Sequence, residues 1–248
     1  MPQVKINGSV GLNGKNNAAD VITIKKRLIE LGFDWLTPDE KVGPLTVDAI
    51  RLFQAIKNGF DNVKVATNDG LIDVNGDTHH WLQAANAPHW QRMPEGSAAE
   101  GYKNDEVADT SDNHDFGTDW LADTLRDTGA DYRDDFLATH SNAALFRIND
   151  TSKPRGGDTS MHVGHESGLV CDVRLPRKDG SVGGITVTDS TYDRAAMRAI
   201  IKAFKKQKLA DRVLLNDTVL ISEGLCRSAS GHHNHAHFEI RPPVRKDD

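Results

Sequence analysis

The chain has 248 residues, 38% of them hydrophobic, 27% charged and only 6% aromatic, with a formal net charge of −6 at pH 7. That length allows one large domain or two modest ones, and no apolar run approaches the roughly 20 residues that span a bilayer, which excludes a transmembrane chain. Residues 91–135 carry 13 acidic against 4 basic side chains, and so acidic a middle excludes nucleic acid as the main partner, because phosphate binding needs a clustered basic face.

The first eight residues lack the basic start, apolar middle and small-residue cleavage site of a secretory signal, so export by that route is not expected. Val21, Ile24, Leu28 and Leu31 recur at helical spacing over 18–31, with Gly32 as a stop. After the loop Thr37-Pro38-Asp39-Glu40-Lys41-Val42-Gly43-Pro44, a second helix is expected over 46–57, burying Val47, Ile50, Phe53 and Ile56 or Leu52. A third over 77–84 carries Trp81 and Leu82. The run Leu28-Ile29-Glu30-Leu31-Gly32-Phe33, then Val42-Gly43-Pro44-Leu45-Thr46-Val47-Asp48-Ala49-Ile50, Phe53-Gln54 and Asp69-Gly70-Leu71-Ile72-Asp73 resembles the peptidoglycan-binding type 1 family over roughly residues 8–85. The resemblance implies a three-helix module that binds the bacterial wall polymer.

Residues 86–118 combine Pro88, Pro94, Gly96, Gly101 and Gly117 with an acidic excess and no sustained periodicity, which predicts a mobile linker. Helical patterning resumes over 119–128, and a short element follows over 132–138. Strands are expected at 145–148 and 169–175, a helix between 192 and 209, and a hairpin in which 213–215 and 219–221 flank Asn216-Asp217-Thr218. The expected architecture is a small all-α three-helix N-terminal domain (1–85), an acidic linker (86–118) and an α+β domain with a small antiparallel sheet (119–248). Cys171 and Cys226 are too few for a disulfide scaffold; a single disulfide clamping the site and two unpaired thiols both fit.

Four of the eleven histidines fall in His232-His233-Asn234-His235-Ala236-His237. With a strand beginning near His235, period-two alternation puts His235, His237, Glu239 and Arg241 on one face, and Ala236, Phe238 and Ile240 on the other. Upstream, Asp172 points off the otherwise apolar strand 169–175, where an unpaired buried carboxylate is expensive. A divalent metal would meet it: catalytic zinc takes three His or carboxylate ligands and leaves a fourth position for water. His165, Asp172 and His237 supply such a set. His79, His80, His89, His114 and His140 follow no spacing and are expected at the surface, as is His233.

The pattern His162-x-x-His165-x-x-Gly168-x-x-x-Asp172, with Gly231-His232-x-x-His235-x-His237, resembles the penicillin-insensitive murein endopeptidases and the surrounding group of zinc D-Ala-D-Ala peptidases over about residues 140–243. The resemblance implies one Zn2+ per chain held by His165, Asp172 and His237, a catalytic histidine at His235, and further active-site histidines at His162 and His232. His235 is then either the base or the group that orients the water; His162 and His232 either touch substrate or support the ligands. Asn234 stands where carboxypeptidases of the group place a glutamate, which favours the endopeptidase branch. Arg174 fits a stem-peptide carboxylate or an exposed ion pair.

The function expected from both resemblances is a zinc endopeptidase cutting D-Ala–diaminopimelate cross-links in peptidoglycan. L-Ala–D-Glu endopeptidase or D,D-carboxypeptidase specificity is the alternative, and a non-catalytic wall-binding protein with a structural metal is the reading of another class. Without a signal peptide, the enzyme would reach the periplasm or wall of its target bacterium as a phage endolysin aided by a holin, or as an injected effector paired with an immunity protein. No membrane partner is expected.

Overall fold

The computed structural model describes residues 3–109, 112–159 and 164–247. The first helix, α1 (Ala18–Glu30), buries Val21, Ile24 and Leu28. The second, α2 (Pro44–Asn58), starts with proline in its first turn, where the missing N–H costs nothing, and stops at Gly59 in the left-handed region at φ 72°. Ile50, Leu52, Phe53 and Ile56 face the core while Val47 lies at its margin. A short pair, β1 (Val10–Gly11) and β2 (Leu71–Ile72), runs antiparallel beside them, and α3 (Asp77–Gln83) closes the unit. Gln54 ties β2 to α2: its side-chain amide donates to the Leu71 carbonyl (2.9 Å) and accepts from the Gly70 N–H (2.8 Å).

The stretch 86–118 is not a free linker. It holds β3 (Trp90–Arg92), β4 (Tyr102–Asn104) and β5 (Phe116–Thr118); β3 pairs with β5. β4 joins a five-stranded sheet with β6 (Phe146–Ile148), β7 (Val170–Arg174), β8 (Ala210–Leu214) and β9 (His235–Ile240), in the order β4-β6-β7-β9-β8. Because β4 lies parallel to β6, the sheet is mixed rather than antiparallel throughout. Acidic composition misleads here because Trp90, Met93 and Tyr102 are buried anchors spaced too irregularly to read as a strand pattern.

Two helices cover the back of the sheet, α4 (Asp119–Tyr132), which runs on into a π-helical turn at Arg133–Leu137, and α5 (Arg194–Lys206). Phe204 of α5 packs on Phe238 of β9 at 4.4 Å between ring centroids. The hairpin expected over 213–221 does not form. Its second arm is instead α6 (Thr218–Ser222), whose N-cap Asp217 accepts from the Val219 and Leu220 N–H groups.

The helical unit and the sheet share one apolar core. Trp81 meets Trp120 at 5.9 Å, Phe33 meets Trp90 at 6.5 Å, and the Trp90 N–H donates to the Leu31 carbonyl at 2.8 Å. Cys171 and Cys226 are both free and buried. His80, His89 and His140 lie at the surface, but His79 and His114 are buried, His79 between the Asn75 N–H and the Val4 carbonyl. Among the described residues no helix is long and apolar enough to cross a membrane.

Candidate functional site

The site is set by strand register. In the antiparallel pair β7–β9, Asp172 lies directly opposite His237, and Arg174 opposite His235. The apolar partners, Cys171 with Phe238 and Val173 with Ala236, alternate onto the other face and are buried in the core. His165 reaches the same point from the loop ahead of β7. It sits at φ 61°, in the left-handed region that a side chain rarely adopts. Asp61, from the loop after α2, holds that turn: its carboxylate accepts from the His165 N–H at 2.7 Å, the Glu166 N–H at 3.1 Å and the Ser167 hydroxyl at 3.4 Å.

Three donor atoms converge. Nε2 of His165 lies 3.2 Å from Nδ1 of His237 and 3.3 Å from Oδ1 of Asp172, and those last two are 2.9 Å apart. Ligands at ~2.0–2.1 Å around a tetrahedral ion stand about 3.3 Å from one another, so the triangle has the size such an ion needs. The remaining ring nitrogens are already engaged. Nδ1 of His165 donates to the Thr151 carbonyl at 2.9 Å, and Nε2 of His237 faces Oε1 of Glu239 at 3.5 Å. Glu239 is gripped in turn by the Arg212 guanidinium at 2.8 and 2.9 Å. Outer partners of this kind fix the tautomer of a metal-binding imidazole and aim its lone pair.

The electrostatics follow from that crowding. Burial alone would raise the Asp172 carboxyl, yet hydrogen bonds from His165 and His237 hold it far below the ordinary range. Burial opposes the charged form of His237, but its bonds to Asp172 and Glu239 prevail and lift it to about 9. Without a cation, the triangle keeps a proton. His235 behaves oppositely: burial lowers it more than Asp172 raises it, so it is neutral at pH 7.

His235 stands at the rim, with Nε2 3.6 Å from Oδ2 of Asp172 and its ring 4.9 Å from that of His232. The sheet therefore gathers His165, Asp172, His235, His237 and His232 around one cleft of about 860 Å³. His162 lies outside the described residues. His233 is exposed, and Arg174 pairs with Asp105 at 2.9 Å. The sequence reading missed Asp61, Thr151 and Arg212. Nothing in their local pattern marks them, since each acts through a contact made only by the fold; Glu239, by contrast, shares the histidine alternation.

Residues 17–59 match a protein-family model described as "Putative peptidoglycan binding domain". The match spans α1 and α2, so the N-terminal part is similar to a peptidoglycan-binding domain, which associates the chain with the wall polymer. No curated protein matches the chain.

Proposed function

We propose that the chain is a zinc-dependent peptidoglycan endopeptidase, cutting the D-Ala–diaminopimelate type of cross-link. The observation that carries this reading is the triangle of His165, Asp172 and His237, sized for a tetrahedral ion, with both imidazoles held from behind and a neutral histidine at its open side. Its place beside helices similar to a wall-binding domain supports the substrate. A second cleft of about 750 Å³, between Arg51 and Leu52 of α2 and the loop carrying Lys153 and Arg155, shares Asp158 with the site cleft. A polymer strand held along α2 would thus run toward the histidines, raising the local concentration of its peptides.

The chemistry a bound zinc supplies is polarisation of the scissile carbonyl and a water pKa near ~7. His165, Asp172 and His237 would hold the ion with one position left open. His235, at the rim of the same cleft, would accept a proton from the attacking water and return it to the leaving amine. His232 beside it narrows the cleft where the peptide enters.

Purified muropeptide dimers test the reading. Monomers should appear with the zinc-loaded chain, and should not appear after chelation or with Asp172→Ala. Dimers left intact by the zinc-loaded wild-type chain would overturn it, and the masses of the fragments distinguish cross-link cleavage from L-Ala–D-Glu cleavage.

A further inference from the structure

We infer that the chain holds a second divalent metal ion, on Asp112, His114 and Asp150, directly behind the first candidate centre. One ligand atom from each of these three residues lies within 4.8 Å of the others, and His114 is buried. Nδ1 of His114 lies 3.2 Å from Oδ2 of Asp112.

Glu106 supplies a separate indication. It is 2% exposed, and its Oε2 has no hydrogen-bond partner among the described residues. Asp150, Asp112 and Asp109 crowd it with negative charge, and Arg174 opposes them. A buried carboxylate oxygen without a donor is costly, and a cation shared with its acidic neighbours removes that cost. An imidazole among carboxylates suits Zn2+ or Mn2+ better than Ca2+, which takes six to eight oxygens.

The two centres are joined through three consecutive residues. The Asn149 N–H donates to the Asp172 carbonyl and the Asp172 N–H to the Asp150 carbonyl, both at 2.8 Å. The Thr151 N–H and hydroxyl both donate to the His114 carbonyl, at 2.7 and 2.9 Å, while the Thr151 carbonyl accepts from His165. An ion on Asp150 and His114 therefore braces the backbone from which Asp172 and His165 are held. This site is independent of the peptidase reading, since it uses none of the first triangle's ligand atoms.

Metal content measures it without reference to activity. The chelated full chain, reloaded with Mn2+ alone and desalted, should retain about two equivalents; Asp172→Asn and the double variant Asp112→Asn/Asp150→Asn should each fall to about one. Should the double variant fail to fold, the Asp172→Asn chain still decides. Its residual Mn2+ should show nitrogen hyperfine coupling that His114→Gln abolishes. One equivalent in the wild type that Asp172→Asn removes entirely, or a residual ion indifferent to His114→Gln, would overturn the inference.

Discussion

At the level of single residues, the site turns on what stands behind each imidazole. Glu239 fixes the Nε2 proton of His237 and is itself clamped by Arg212, so Glu239→Ala should free the ring to rotate. Zinc affinity, read by competition with a chromogenic chelator, should drop by roughly 10- to 100-fold; unchanged affinity would mean the contact is incidental. His235→Ala should retain zinc yet lower kcat on muropeptides by about 10²–10⁴-fold if it transfers the proton. The same residues dictate a pH effect on the metal-free chain. The His237 pKa rises from 6.5 to about 9 on folding, so its contribution is fully present below pH 6.5 and disappears as pH rises through 9. Chelated protein should therefore lose stability over that window, on the order of 3 kcal/mol, seen as a falling Tm that added zinc reverses. Asp172 and His237 were picked out in the sequence because side-chain alternation and an awkward buried carboxylate are local signals; His165, on a loop, was singled out by its spacing to Asp172 and by the family resemblance, not by alternation. Thr151 was not, because it acts through its backbone carbonyl, to which its side-chain identity gives no clue.

At the level of elements, what could be read was periodicity, and what could not was pairing. The strands at 170–174 and 235–240 were both expected, but their register, which sets Asp172 against His237, comes from packing Phe238 and Ala236 against Cys171 and Val173. The segment from Val213 to Ile221 shows the limit of apolar runs. Its two triplets suit strand or helix equally, and the decision falls to Asp217, whose carboxylate caps α6 while pairing with Arg194 at 2.7 Å. Asp217 is 1% exposed, so Asp217→Ala removes a cap and the partner of the half-exposed Arg194 together. A destabilisation of about 2 kcal/mol or more is expected in urea unfolding. A loss below half of that would show that α6 is held by Leu220 packing instead.

At the level of the whole molecule, the expected division into binding module, loose linker and enzyme fails for a physical reason. The helical unit and the sheet bury Trp81, Trp90 and Trp120 in one core, and the acidic segment between them supplies β4 to the central sheet. Such a segment should resist limited proteolysis at 90–104 under native conditions, whereas a true linker would be nicked there first. One link between the two parts is Asp61, which follows the helices similar to a peptidoglycan-binding domain and holds the left-handed turn at His165. Asp61→Ala leaves two backbone N–H groups and a hydroxyl without their acceptor, each worth about 1–3 kcal/mol if buried, and the turn at His165 relaxes toward an ordinary conformation. Zinc affinity should then fall at least tenfold, a loss of about 1.4 kcal/mol. Peptidoglycan pull-down should be unchanged, because α1 and α2 do not depend on that carboxylate. Equal zinc affinity in the variant would mean that the two halves are merely adjacent; a parallel loss of both properties would mean that Asp61 supports the fold rather than the turn.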